Sequence, residues 1–180
     1  MNAAATFPAN LMLVAAMNPC PCGHRGDPKK PCRCTQIQIQ RYFGRISGPV
    51  LDRIDLHVEV PHVPYEQLAA ERDGAESSSV RTQVMAAREV QQRRFSGTHT
   101  YCNAAMTERQ VQDFCVPDSD GAALLRNAVD SLGYSARAYG RILKVARTIA
   151  DLEGAKDMGV AHVSEALQYR TLDREKMLAF

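Results

Sequence analysis

The sequence predicts a mainly α-helical protein in which a helical bundle over residues 63–180 follows an incomplete α/β segment over residues 1–62. Three observations support this division. The first segment holds one or two short stretches with strand patterns, the later residues carry repeated helix-capping signals, and the composition changes at Pro61-His62-Val63-Pro64. Two strands without hydrogen-bonded neighbours are marginal in water. We therefore expect the first segment to belong to a larger sheet.

The two strand candidates have different patterns. Leu11–Ala16 is a continuous apolar run between Pro8 and Pro19, which is typical of a strand buried on both faces of a parallel sheet. Leu56–Val60 alternates apolar and polar residues, which indicates a strand with one buried face. A short helix over Thr35–Ile46 is expected between them.

Capping signals and periodicity place the helices of the bundle. Thr107-Glu108-Arg109-Gln110 is a capping box, in which the first and fourth side chains satisfy two backbone amides at the start of a helix. Gly133 is expected to end the next helix. Ser135 is expected to cap the helix after it, whose apolar face runs from Tyr139 to Ala150 and which ends at Gly154. The remaining helices are expected at Tyr65–Arg72, Ser79–Phe95 and His162–Arg170.

Composition and charge exclude several classes of protein. The 180 residues are 45% hydrophobic and 23% charged. No stretch approaches the roughly 20 apolar residues of a membrane span, and the start lacks the basic region of a secretory signal, so we expect a cytoplasmic location. The net charge of +2 gives no global sign of nucleic-acid binding, although six basic residues face the single acid Asp27 between Arg25 and Arg45.

Four of the six cysteines have the spacing of metal ligands. Cys20-Pro21-Cys22 and Cys32-Arg33-Cys34 are separated by nine residues, which include glycines and prolines that let the two pairs converge. Thiolates bind Zn²⁺ tetrahedrally, and clustered cysteines in a cytosolic chain favour metal over disulfides. The sequence therefore predicts a zinc site at Cys20, Cys22, Cys32 and Cys34. Two alternatives stay open: His24 as a replacement ligand, and a redox-labile loop without metal.

Two polar residues are candidates for acting on a phosphate. Asn18 follows the apolar run, at the edge where open α/β sheets place ligands, and its amide could orient a water against a phosphate. A simple Asn-Pro turn is the alternative. Arg53 could act as an arginine finger, whose forked charge neutralises a transferring phosphoryl group. The alternative is a local ion pair, because Asp52 and Asp55 flank it.

A basic stripe lies on the helix that Ser135 starts. Arg137, Arg141 and Lys144 are at positions i, i+4 and i+7, opposite the apolar face. Like charges at this spacing repel one another unless an anion is present, so Arg137 and Arg141 are candidate anion-binding residues. A merely solvated face is the alternative.

Three blocks of sequence, taken in order, resemble one family. FPANLMLVAAMNPCPCG, SGPVLDRIDLHVEVP and SARAYGRILKVARTIADLEG are similar to the C-terminal half of the magnesium-chelatase-like AAA+ ATPases, in particular their ComM (YifB) branch. The resemblance covers nearly the whole chain. It implies a partial P-loop core followed by the helical lid, with Asn18 as sensor 1, Arg53 as the finger offered to a neighbouring subunit and Arg137 as sensor 2.

The resemblance also carries expectations about the parent protein. It implies a hexameric ring that uses ATP with Mg²⁺ and drives DNA branch migration during natural transformation. The chain contains neither a GxxxxGK[ST] loop nor an apolar strand ending in Asp-Glu, so it should not hydrolyse ATP alone. Two alternatives are a magnesium chelatase motor subunit, which generally lacks the cysteine cluster, and a zinc-containing nucleic-acid-binding module that uses the basic stretch from Arg25 to Arg45.

Overall fold

The computed structural model describes residue 5 and residues 11–65 and 74–170, and the chain divides into two compact units, Met1–Arg45 and Ile46–Phe180. Over the described residues the chain is mainly α-helical, as predicted. The helices there are α1 (Gln36–Phe43), α2 (Gly48–Leu51), α3 (Ser77–Arg94), α4 (Glu108–Phe114), α5 (Ser119–Leu132), α6 (Ala136–Leu152) and α7 (Val160–Gln168), with a 3₁₀ turn at Asn103–Ala105. None of these helices has the length and hydropathy of a membrane span.

Neither strand candidate is a β-strand in the structure. Leu11–Ala16 has no regular secondary structure, and Met12 and Val14 expose 89% and 84% of their surface. Leu56–Val60 is also irregular. A strand needs a partner for its backbone N–H and C=O groups, and within the described ranges the only bridge is the isolated pair Pro117 and Met158. The strand prediction is therefore corrected for both segments.

The capping predictions are confirmed. Thr107 and Gln110 form the expected capping box, and the Ser135 hydroxyl accepts a hydrogen bond from the Ala138 N–H at 3.1 Å. In the first unit, Thr35 and Gln38 form a second capping box at the start of α1. The helix predicted for Tyr65–Arg72 lies outside the described residues, apart from its first residue.

Helix α6 is central to the second unit, where it packs against α3, α4, α7 and the 3₁₀ turn. Its predicted apolar face is buried at Ile142, Leu143, Ala146 and Ala150, all at most 4% exposed. Tyr139 is the exception, since 42% of its surface is exposed. The opposite side of this amphipathic helix is free to carry charged residues.

A buried polar network joins α3, the 3₁₀ turn and α6. The Asp151 carboxylate, fully buried, accepts hydrogen bonds from Arg94 Nη1 at 2.7 Å, Asn103 Nδ2 at 2.7 Å and Arg147 Nε at 3.0 Å. Burial by itself raises the pKa of Asp151, but the hydrogen bonds from Arg94 and Asn103 outweigh it and hold the pKa below its usual value. The network fixes the charged form of Asp151 in the interior.

Two glycines, one at the end of α5 and one inside α6, give a paired prediction about the free energy of unfolding. Gly133 ends α5 with φ +57°, whereas Gly140 lies inside α6 with open space around its Cβ position. Gly133→Ala should cost about 1–2 kcal/mol, because a Cβ is strained in the left-handed region. Gly140→Ala should stabilise by roughly 0.5–1 kcal/mol, because glycine is a poor helix former. Urea denaturation measures the change in the free energy of unfolding in each variant. Equal changes in the two variants would contradict the left-handed conformation assigned to Gly133 and the helical one assigned to Gly140.

Candidate functional site

The four cysteines of the first unit converge on one point. The Sγ atoms of Cys20, Cys22, Cys32 and Cys34 all lie within 4.8 Å of one another. Three pairs are closer, with Cys20 to Cys22 at 3.4 Å and Cys32 at 3.6 Å from each of them. Four sulfurs about 2.3 Å from a central Zn²⁺ in a tetrahedron stand about 3.8 Å apart. The cluster therefore has the size of a single four-thiolate metal site.

Tight turns bring the two cysteine pairs together. Gly23 has φ +80° and Gly26 φ +82°, values that favour glycine. The Gly23 N–H donates to the Cys20 carbonyl at 3.0 Å, which closes the turn around the first pair. Asp27 Oδ1 then accepts from the Lys29 N–H at 2.8 Å and orders the chain that leads to the second pair.

His24 does not belong to the sulfur cluster. Its Nδ1 lies 3.4 Å from Asp27 Oδ2, and the group of side chains within the described residues that could hold a metal ion consists of the four cysteines. Backbone hydrogen bonds from His24 and Arg33 lower the pKa of Cys22 to about 6. The geometry favours four cysteines over the alternative in which His24 replaces one of them.

The surface of the first unit is basic. Across 11–45 one acid, Asp27, stands against six exposed cations, which we call the basic surface: Arg25, Lys29, Lys30, Arg33, Arg41 and Arg45. The Arg25 guanidinium also lies 6.0 Å from the centre of the Phe43 ring. A surface with this balance attracts polyanions.

The candidate phosphate-acting residues divide between the units. Asn18 is exposed in the first unit, where its side chain lies over the Gly23 turn, 3.9 Å from an ideal Cβ at Gly23. Arg53, Arg137 and Arg141 belong to the second unit.

Arg53 is exposed, and neither flanking carboxylate pairs with it. Arg53 Nη1 donates to the Pro49 carbonyl at 2.8 Å, at the start of α2. Asp52 Oδ2 instead accepts from the Ser135 hydroxyl at 3.3 Å. Asp55 pairs with Arg141. The local ion pair considered from the sequence is therefore absent among the described residues.

The basic stripe of α6 is partly engaged within the chain. Arg141 holds Asp55, and Lys144 Nζ donates to the carbonyls of Ala104 at 3.1 Å and Met106 at 2.7 Å. Burial lowers the pKa of Lys144. Arg137 is exposed and has no ion pair within the residues described. The repulsion along the stripe is thus relieved by a carboxylate and by carbonyls, and Arg137 is the member left open to solvent.

Residues Asp52–His57, which we call the Arg53 loop, are also held by the end of α7. Arg170 Nη1 donates to the Ile54 carbonyl, and the His57 N–H donates to the Tyr169 carbonyl at 2.8 Å.

The two contacts of the Arg53 loop with α6, Asp52 to Ser135 and Asp55 to Arg141, join residues 83 and 86 positions apart. Sequence reasoning missed them, because opposite charge alone does not identify a partner at such a distance.

Comparison with known proteins identifies the class. The family model "Magnesium chelatase, subunit ChlI C-terminal" matches residues 74–170, and "Magnesium chelatase, subunit ChlI" matches residues 1–68. The chain belongs to the magnesium chelatase family. It is 44% identical to the competence protein ComM of Haemophilus influenzae over 174 residues, which are 96% of this chain and 33% of that protein.

Two further relatives have no assigned function in their names. The protein YifB of Salmonella typhimurium is 44% identical over 181 residues, covering 97% of this chain and 34% of YifB. A Mycobacterium tuberculosis protein is 37% identical over 166 residues, covering 92% of this chain and 32% of the relative. The chain thus spans about a third of the length of the curated relatives it matches.

Proposed function

We propose that this chain supplies the nucleotide-sensing residues of a hexameric, cytoplasmic AAA+ ATPase that uses ATP and Mg²⁺ to drive DNA branch migration during natural transformation. Asn18 serves as sensor 1, Arg53 as the arginine finger and Arg137 as sensor 2. Arg141, which the sequence also made a candidate for binding the nucleotide, pairs with Asp55 and is not counted among these three residues. Residues 1–62 are the proposed core segment and 63–180 the lid. Membership of the magnesium chelatase family and the similarity to a competence protein support a magnesium-chelatase-like ATPase as the parent; the residue roles, the two segments and the DNA reaction are proposed.

The exposure of Arg53 carries the proposal. An arginine finger must present an unpaired guanidinium to the phosphates of a neighbouring subunit. Arg53 has two carboxylates within two positions, yet both are engaged by α6. Its guanidinium bonds only a carbonyl among the described residues, so it keeps its full charge for an anion.

Two features of the first unit extend the proposal. The basic surface suits the phosphate backbone of DNA, which proteins neutralise with lysine and arginine. The four-cysteine cluster has the ligand type and spacing of a structural zinc site, so we assign Zn²⁺ to Cys20, Cys22, Cys32 and Cys34. A second candidate function, a zinc-containing nucleic-acid-binding module without a motor role, is favoured by these same two features.

Subunit mixing tests the arginine finger. In the full-length parent, Arg53→Ala should lower ATP hydrolysis at least about tenfold, because the transition-state charge loses its partner. Mixing this variant with a Walker A variant should restore part of the activity, since each subunit then supplies what the other lacks. ATPase rate against mixing ratio is the measurement.

The matched control is Arg126→Ala on α5, an exposed arginine outside the proposed machinery that should leave the rate unchanged. Full activity of Arg53→Ala, or no recovery at any mixing ratio, would contradict the finger assignment.

A further inference from the structure

The Arg53 loop is bracketed by contacts from the same chain. On its N-terminal side the Asp52 carboxylate accepts from Ser135, whose hydroxyl also caps α6. On the C-terminal side of Arg53, Asp55 pairs with Arg141, which lies about 1.7 turns beyond Ser135 along α6. Among the described residues, the side chains that bind these two acids therefore lie at the N-cap and in the second turn of one helix.

We propose that Ser135 and Arg141 are positioning residues that hold the Arg53 loop against α6 and keep Asp52 and Asp55 away from Arg53. This inference rests on the proposed role of Arg53. The two acids are the nearest negative charges in sequence to Arg53, and an acid paired with the finger would cancel the charge it must present to phosphate. By occupying both acids, α6 leaves Arg53 unpaired.

The same contacts link two proposed sites. Arg137 lies between Ser135 and Arg141 on α6, so an anion bound at Arg137 acts on the helix that holds the Arg53 loop. Helix α6 therefore carries both the proposed sensor 2 and, at its cap and second turn, the side chains that hold the Arg53 loop.

The Asp55 to Arg141 pair is suited to positioning more than to stability. The side chains of Arg141 and Asp55 are 27% and 52% exposed, and exposed ion pairs stabilise a fold very little. The backbone bond from His57 to Tyr169 provides a local reporter, because its N–H exchanges only when the loop opens. Loss of the pair is therefore expected to loosen the loop without unfolding the unit.

Amide hydrogen exchange on this chain tests the contact itself. Arg141→Gln and Asp55→Asn should each raise exchange at residues 54–57 about fivefold and leave α5 and α7 unchanged. Arg141→Lys, which keeps the charge, should stay close to the unchanged chain. Arg126→Gln removes a comparable exposed arginine and should alter nothing in the loop. Unchanged exchange in both Arg141→Gln and Asp55→Asn would overturn the proposal.

ATPase kinetics of the full-length parent test the positioning role. A misplacement of about 1 Å costs up to about a hundredfold in rate, so Arg141→Gln and Asp55→Asn should lower kcat roughly tenfold or more, with KM for ATP little changed. Mixing with the Walker A variant should restore part of the activity, as for Arg53→Ala. A rise in KM without recovery would instead make Arg141 a nucleotide ligand and overturn its positioning role.

The ATPase rates of the variants distinguish the positioning role of Arg141 from the finger role of Arg53. If Arg53→Ala abolishes activity while Asp55→Asn and Arg141→Gln do not alter kcat, the positioning role fails and the finger assignment stands. If Arg53→Ala has no effect, the finger assignment fails, and the exchange experiment alone decides whether α6 holds the loop.

Discussion

Removal of the zinc proposed for the four-cysteine cluster is expected to unfold the cysteine-containing part of the first unit and to leave the helical second unit folded. The described part of the first unit buries only Cys20 and Ile39 among its apolar side chains, which is too little to hold a compact loop by itself. Structural zinc in small sites contributes about 10–16 kcal/mol of binding free energy at pH 7, and most of that is folding free energy. The first unit should therefore depend on the metal.

The measurement combines metal content with structure. Elemental analysis should find about one zinc per chain, bound as a four-thiolate site. After treatment with a thiol-reactive mercurial and a chelator, amide exchange over 18–34 should become fast while α5 to α7 keep their protection. A chain that binds no zinc after reconstitution under reducing conditions would contradict the site and favour the redox-labile loop.

Single substitutions identify the ligands. Cys32→Ser should remove most of the bound zinc, whereas Cys102→Ser, at a cysteine outside the cluster, should leave the zinc content unchanged. His24→Gln should also retain the metal, because His24 faces Asp27. Loss of zinc in His24→Gln would show that the ligand set includes this histidine.

A DNA-binding measurement tests the second candidate function. Binding of duplex DNA by the zinc-loaded chain that weakens with salt, and that is lost when the metal is removed, would favour the zinc-containing nucleic-acid-binding module.

The helices of the bundle could be predicted because their signals are local. The Thr107 hydroxyl caps its helix by accepting a hydrogen bond from a backbone N–H three residues away, and Gly133 ends its helix because glycine adopts the left-handed conformation readily. Both helix ends are therefore where the sequence predicted them. The cysteine pairs also converge through a short loop whose turns depend on Gly23 and Gly26. Each of these features is determined within about fifteen residues.

The features that could not be predicted depend on distant partners. An apolar run such as Leu11–Ala16 becomes a strand only when another strand supplies hydrogen bonds, and within the described residues none does so. The hold of α6 on Asp52 and Asp55 joins residues more than eighty positions apart. The sequence alone therefore does not decide whether Arg53 is an arginine finger or forms a local ion pair, because Asp52 and Asp55 flank it and their actual partners are distant in sequence.

Asp151→Asn is expected to destabilise the second unit by about 3–5 kcal/mol, the usual cost of removing one partner from a buried ion pair. The substitution keeps the shape of the side chain but removes the charge that Arg94 and Arg147 share. The side chains of Arg94 and Arg147 are 12% and 5% exposed, so water has little access to replace the lost carboxylate. Urea denaturation at pH 7 measures the change.

Asp130→Asn on α5 is the matched control, because Asp130 is an exposed acid and its loss should change stability by less than about 0.5 kcal/mol. A similar effect for both variants would contradict the network's importance.

The pH dependence gives an independent check on Asp151. Its pKa is lower in the folded chain than in the unfolded chain, so the unfolded state binds a proton first as the pH falls. The stabilisation is complete above the unfolded pKa of about 3.9 and is lost progressively below it, through the lower folded pKa. Between pH 7 and pH 3 the free energy of unfolding should therefore fall more steeply in the unchanged chain than in Asp151→Asn. Parallel slopes would mean that Asp151 titrates alike in both states and that its hydrogen bonds with Arg94 and Asn103 do not favour the charged form.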